Sequence, residues 1–298
     1  MIFFIIIKKF ELLFFLIYFV LYILKKQKLS IQYKANRIEF LIKKNFYYNE
    51  SNLLTIQDKI NWLLIHDTNN LKGNCADKIL LHNWSILRLG KDICNRIIKI
   101  YKHVDDINFE ELPEKFVLKT NHGSSFNIII DNKTNCNITS IKEQLLEWLK
   151  IDYGKNNSEF HYSIIERKVF VEKYMGLQLK NYKFLCYNGK PKYVYLSIKK
   201  GEEKFRNFYD MDWNLLDFNC LSYPDLNNTY NRPNNFELMK KYAIILSKNF
   251  KFVRVDMYEI ANEVLLGELT FSPMNSLFFC QNKSHEIELG RDIPLIIK

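Results

Sequence analysis

No two of the six cysteines stand in a CxxC pair, and no histidine cluster accompanies them, so their spacing argues against a zinc site. Cys186 and Cys280 sit inside apolar runs (Phe184-Leu185-Cys186-Tyr187 and Phe278-Phe279-Cys280), as small buried hydrophobes do, and a reducing compartment fits this usage. There is no Arg-rich block and no basic stripe, although the formal charge is +10 and the pI about 9.1. Lys, Asn and Ile are abundant throughout, so a coding bias accounts for the charge as well as a polyanion would, and nucleic acid is not an expected partner. Internal repeats and low-complexity linkers are also missing. What remains is a chain of 298 residues, 48% hydrophobic and 26% charged. That is the profile of a globular protein able to bury one large domain or two smaller ones.

Residues 1–24 are strongly apolar, interrupted by Lys8, Lys9 and Glu11. The unbroken part, Leu12 to Leu24, has 13 residues, which as a helix would reach roughly 20 Å against a hydrocarbon core of roughly 30 Å. No small-residue cleavage site follows, which disfavours a removable signal peptide. Residues 1–26 are therefore read as a hydrophobic helix and possible membrane anchor, lying on or spanning the bilayer, with Lys25, Lys26 and Lys28 as a cytoplasmic flank.

Residues 27–75 read as a helical lead-in, residues 76–175 and 176–298 as two subdomains. A helix is expected from Cys75 to Leu89, ended by Gly90, and another over Ser140–Lys150, capped by Ser140 and burying Ile141, Leu145, Leu146, Trp148 and Leu149. Lys168 to Met175 reads as a strand. Tyr182–Tyr187 and Lys192–Ile198 flank the turn Asn188-Gly189-Lys190-Pro191. Phe236–Phe250 is expected to be helical, and Phe252–Tyr258 and Val264–Phe271 to be strands around Ala261-Asn262. The chain is α+β, with meandering strands, and not a doubly wound parallel sheet.

Phe116-Val117-Leu118 is a short strand run that delivers Lys119 to the polar loop Asn121-His122-Gly123-Ser124-Ser125, and Asn127 to Asp131 resumes strand character. A lysine beside such a loop suits a phosphate. Lys78 lies 41 positions before Lys119, at an expected helix start, where anions are favoured. Glu172 ends a strand that leads into Tyr174-Met175. Arg254 and Asp256 share one strand face at i and i+2, and Glu268 follows 12 positions after Asp256 on the next strand. Two carboxylates on adjacent strands suit Mg²⁺ together with phosphate oxygens, and Arg254 beside them suits charge on a transferring phosphoryl group.

In order and spacing these residues resemble the ATP-grasp superfamily. More closely, the chain resembles the TupA-like ATP-grasp family, named for teichuronopeptide biosynthesis. The words that carry this are Gln57 to Leu63, Ala76-Asp77-Lys78, Leu112 to Ser124, Tyr182-Lys183-Phe184 with Asn188-Gly189-Lys190, Phe208-Tyr209-Asp210 with Asp212-Trp213, Val253 to Tyr258, and Gly267 to Pro273. The resemblance implies an ATP-grasp fold in which two α+β subdomains clasp ATP between antiparallel sheets. It implies that Lys78 and Lys119 hold phosphates under a loop of Asn121, His122, Gly123, Ser124 and Ser125. Glu172, Tyr174, Met175 and Lys183 would complete the nucleotide contacts. Asp256, Glu268 and Thr270 would bind Mg²⁺, with Arg254 and Lys119 catalytic. The reaction implied is carboxylate–amine ligation through an acyl phosphate, on an amino acid or sugar acid, in cell-surface polysaccharide assembly at the inner face of the cytoplasmic membrane. The chain departs from the family pattern at Ser125 (usually Gly), Thr270 (often Asn), Asn181 (acidic), His82 (Arg) and Met274-Asn275-Ser276 (a Gly-bearing turn).

His122 is read as a loop residue, not a general base, and Tyr153, Tyr162, Tyr193 and Tyr195 as core or rim. Two rival functions stay open: a sugar transferase, for which Asp210-Met211-Asp212 is the nearest approach to a DxD motif, and a non-catalytic nucleotide-binding scaffold.

Overall fold

The alternation that makes Phe116-Val117-Leu118 a strand also decides which side chains meet the core and which face outward. The computed structural model describes residues 31–176, 179–200, 203–218 and 229–295. Contacts divide the chain into two units, Met1–Tyr48 and Asn49–Lys298. In the first, residues 31–43 form a helix (α1); the expected hydrophobic helix over residues 1–26 lies outside the described residues. Among the described residues, no helix is long and apolar enough to cross a membrane.

The second unit opens with α2 (Ile56–His66), started by a reciprocal capping box between Thr55 and Asp58. Where one helix was expected from Cys75 to Leu89, there are two: α3 (Asn70–Ala76) and α4 (Leu80–Leu89). The break falls at Asp77, whose carboxylate accepts the Ile79 and Leu80 amides, so the side chain caps the second helix.

A four-stranded antiparallel sheet has the order β1-β4-β2-β3, formed by Ile97–Tyr101 (β1), Phe116–Thr120 (β2), Asn127–Ile130 (β3) and Val169–Lys173 (β4). Phe116, Leu118, Val169 and Val171 point to one face and pack with Ile141 and Leu145 of α5 (Ile138–Lys150). That helix is capped by Asn137, one turn ahead of the expected Ser140, and Leu146 is 41% exposed instead of buried. The core face of α5 is accordingly narrower than its run of leucines suggests. A short helix, α6 (Tyr153–Asn157), follows.

The second sheet has six antiparallel strands in the order β10-β9-β5-β6-β7-β8. These are Asn181–Tyr187 (β5), Lys190–Lys200 (β6), Glu203–Tyr209 (β7), Leu215–Leu216 (β8), Phe252–Ile260 (β9) and Glu263–Thr270 (β10). Asn188 and Gly189 turn with positive φ (49° and 79°), as do Ala261 and Asn262 (49° and 66°), so both hairpins close on two residues. The first turn is therefore shorter than the four residues expected, and Pro191 belongs to a strand. Phe184, Val253, Val255 and Met257 cover one face with Phe236, Met239, Ala243 and Leu246 of α7 (Phe236–Ser247). Part of the other face is covered by α2 and by α8 (Lys283–Arg291) through Ile56, Ile60, Leu185, Phe252 and Leu289. The remainder of that face is open.

Candidate functional site

Because side chains alternate along a strand, the residues opposite each core position emerge on the other side of the sheets. On the first sheet these are Val117, Lys119 and Glu172; on the second they are Lys183, Arg254, Asp256 and Tyr258. A cleft of about 540 Å³ is walled by both sets, with Lys119, Glu172, Lys183, Arg254, Tyr258 and Glu268 among its lining. Lys173, Tyr174, Met175 and Gly176, which follow Glu172, form one end of it, and Ser124 and Ser125 border it from the loop.

Glu268 reaches this face through a bulge. Leu266 pairs with Met257, but Glu268 pairs with Asp256, so one extra residue, Gly267, resets the register. Without it, Glu268 would oppose Val255 on the core face. A Cβ on Gly267 would lie 2.6 Å from the Tyr258 ring, so any other residue there must displace that ring. Lys183 is also in register with Asp256 across the β5–β9 pair.

The charges are packed into one web. Arg254 clamps Asp256 with two hydrogen bonds, Nε to Oδ1 at 2.6 Å and Nη2 to Oδ2 at 2.8 Å. Its Nη2 also donates to Glu268 (2.6 Å) and to Thr270 Oγ1 (3.0 Å), and its Nη1 donates to the Tyr195 hydroxyl (3.1 Å). Lys183 pairs with Asp256. Burial disfavours the charge on Glu268, yet Arg254, Lys183 and Lys78 outweigh it and hold its carboxyl far below the ordinary range. Burial pushes Asp256, which is fully buried, upward against the pull of Arg254 and Lys183. On the facing sheet Lys119 pairs with Glu172 at 2.5 Å, and Asn95 donates to Glu172 (3.3 Å) and to the Lys173 carbonyl (2.8 Å).

The polar loop divides into an anchor and an exposed tip. Ser124 and Ser125 border the cleft, but Asn121 and His122 do not line it. Each is only 1% exposed. Asn121 ties the loop down by donating to Asp77 (2.9 Å) and to the Glu166 carbonyl (2.9 Å) and by accepting from the Lys168 amide (2.7 Å). His122 approaches the Ile151 carbonyl (3.2 Å), and burial with the nearby Arg167 lowers its pKa to about 4. Of the five loop residues expected to close over phosphates, these two thus turn their side chains away from the cleft, Asn121's to hold the turn and His122's to the Ile151 carbonyl. Gly123 has φ 76°, and Ser125, where the pattern favours glycine, is also left-handed at φ 65°.

Lys78 departs from its expected setting as well. The amides at the start of α4 are taken by Asp77, so the helix end offers an anion little. Its ammonium instead donates to the Gly123 carbonyl at 2.6 Å, which brings it to the loop. Burial lowers its pKa, with Glu268 pulling the other way and Lys119 adding to the depression.

Sequence reasoning did not single out Asn95, Ser197, Arg206 or Tyr258 as cleft residues, and read Tyr195 as core or rim. Asn95 and Arg206 lie in or beside strands, β1 and β7, that were not expected. Charged residues break the apolar pattern of β7, which is the signal that hid it.

A model of the TupA-like ATP-grasp family matches residues 58–294. Among solved structures, the chain is similar to a D-alanine–D-alanine ligase from Bacillus anthracis, at 19% identity over 66% of this chain and 57% of that one, with a TM-score of 0.43. It is similar to the D-alanine–D-alanine ligase from Helicobacter pylori at 18% identity, over 74% and 61% of the two chains, with a TM-score of 0.38. An N5-carboxyaminoimidazole synthetase from Staphylococcus aureus matches at 12% identity over 66% and 44%, with a TM-score of 0.38. The chain spans little more than half the length of the first two of these structures and less than half of the third. No curated protein matches it.

Proposed function

The chain belongs to the TupA-like ATP-grasp family, and from that premise we propose that it is an Mg-ATP-dependent carboxylate–amine ligase of cell-surface polysaccharide assembly, with residues 76–175 and 176–298 clasping ATP between them. What supports the reading is the convergence of Lys119, Lys183, Arg254 and Glu268, drawn from four strands, on one cleft between two antiparallel sheets, with Asp256 buried beneath them against Arg254 and Lys183. The donor set fits the group. With Lys78 and Glu172 included, four cations face three carboxylates. Two of those carboxylates, Asp256 and Glu268, are register partners. They would hold Mg²⁺, which supplies neutralisation of the phosphate oxygens when bound.

Lys78, Lys119 and Lys183 neutralise the phosphates, and Ser124 and Ser125 border them. Tyr174 and Met175 hold the adenine, and Glu172 orients Lys119 and completes the nucleotide contacts. A substrate carboxylate oxygen attacks the γ-phosphorus while the bond to ADP breaks, and Arg254 neutralises the charge that accumulates on the transferring group. An amine nitrogen then attacks the acyl carbon, the carbon–oxygen bond to phosphate breaks, and the amine gives up a proton. Alignment and charge neutralisation carry the rate, because the protein need supply no covalent step. A sugar-transferase reading has less support: Asp210 closes its own turn, accepting from the Asp212 and Asn214 amides and from the Asn214 side chain.

The direct test incubates the full chain with ATP, Mg²⁺ and a panel of amino acids and uronic acids with amine acceptors. ADP, phosphate and an amide of the combined mass less water are expected for at least one pair. No carboxylate-dependent ADP formation across the panel, with calorimetric binding of a UDP-sugar, would overturn the ligase in favour of the transferase. The reading extends to the membrane: residues 1–26 would hold the enzyme on the cytoplasmic membrane's inner face. The full chain should float with vesicles of anionic lipid and a chain lacking residues 1–26 should not; equal behaviour of the two removes the anchor.

A further inference from the structure

His82 on α4 stands where the family pattern has arginine, and the fold brings it against the loop between α4 and β1. Its Nδ1 lies 2.7 Å from Asp92 Oδ2, and ligand atoms of His82, Asp92 and Cys94 all fall within 4.8 Å of one another. An imidazole nitrogen, a carboxylate oxygen and a thiol form a donor set typical of Zn²⁺, with ligand bonds of roughly 2.0–2.3 Å that place ligand atoms roughly 3.3–3.6 Å apart in a tetrahedron. The three atoms therefore need shifts of no more than about an ångström to surround an ion.

The loop is fixed in place before any metal arrives. Ser85 Oγ donates to the Lys91 carbonyl (3.0 Å) and accepts from the Ile93 amide (3.0 Å). Asp92 Oδ1 accepts from the Cys94 amide at 2.9 Å, leaving Oδ2 turned to His82. The Leu266 amide donates to the Ile93 carbonyl at 2.8 Å, and Cys94 bridges to Leu266. The His82 side chain is 14% exposed and that of Asp92 39%, so the cluster is open on one side to an ion and to a water as fourth ligand.

We propose that His82, Asp92 and Cys94 form a Zn²⁺ site with one open position, separate from the nucleotide cleft. A cysteine ligates zinc as the thiolate, so on binding the Cys94 sulfur–hydrogen bond breaks, the sulfur keeps the electron pair and ligates the metal, and the proton leaves to solvent. The site locks the loop that presents Asn95 to Glu172 and Lys173. Cysteine spacing along the chain hides it, because the three ligands have no common motif and only the packing of α4 on the loop unites them.

The test loads the full chain, freed of metal by chelator, with Zn²⁺ or Co²⁺ alone. One equivalent should bind. The Co²⁺ form should show the strong visible absorption of tetrahedral cobalt and a sulfur-to-cobalt charge-transfer band in the near ultraviolet. Cys94→Ser should abolish that band, and His82→Gln should weaken Zn²⁺ binding by more than the roughly 10–100-fold that loss of a ligand's supporting partner produces. No charge-transfer band in the wild-type chain, or a band that survives Cys94→Ser, overturns the proposal. Neither readout involves ATP or ligase turnover, so this result stands or falls apart from the ligase reading.

Discussion

Lys78 keeps its ammonium in a buried setting that favours the neutral amine. Its pKa lies below the ordinary 10.5, so the charge is lost earlier than for a solvated lysine as pH rises. Since kcat/KM reports the free enzyme, kcat/KM for ATP should decline on the alkaline side, starting below that value. Lys78→Arg, which stays charged, should shift the decline to higher pH. Superimposable profiles for the two enzymes would show that Lys78 brings no charge to the phosphates. At this scale the sequence was informative about residue types and silent about use. Asn121 and Ser124 are equally polar and belong to one loop, yet burial turns the first into a cross-link and leaves the second at the cleft.

Among the elements, the β9–β10 hairpin does the most to assemble the site. Its two-residue turn was legible as Ala261-Asn262, and its strands alternate as expected. The bulge was not legible, because Gly267 reads as an ordinary strand glycine until Tyr258 is seen against it. Gly267→Val should drive the Tyr258 ring aside and move the Glu268 carboxylate. A displacement of about 1 Å costs roughly 100-fold in rate, so kcat/KM for ATP should fall by about that factor while far-ultraviolet circular dichroism is retained. Unchanged kinetics would mean that the bulge has no part in presenting Glu268. Other elements escaped because their stabilisation is not local. The α3–α4 break depends on Asp77 capping α4 while also accepting from Asn121, 44 positions away in the chain. In α8, the polar run Lys283–Arg291 buries only Glu286, Leu289 and Gly290.

Across the whole molecule, a nucleotide clasped by two sheets should steady both. Saturating Mg-ATP at 100 times its Kd should raise the unfolding free energy by about 2.7 kcal/mol. It should also slow amide exchange over residues 116–130 and 252–270 together. Protection confined to one of these stretches would contradict the clasp. The sequence by itself determined the α+β class, most strands and helices, and the family, because alternation, turn residues and ordered words are local properties of the chain. Only the tertiary structure decided which cation meets which carboxylate, that a bulge turns Glu268 out of the core, that Asn121 and His122 turn away from the cleft, and that His82 finds Asp92 and Cys94. Those outcomes depend on strand register and on which charges burial forces together, and neither is set until distant segments pack.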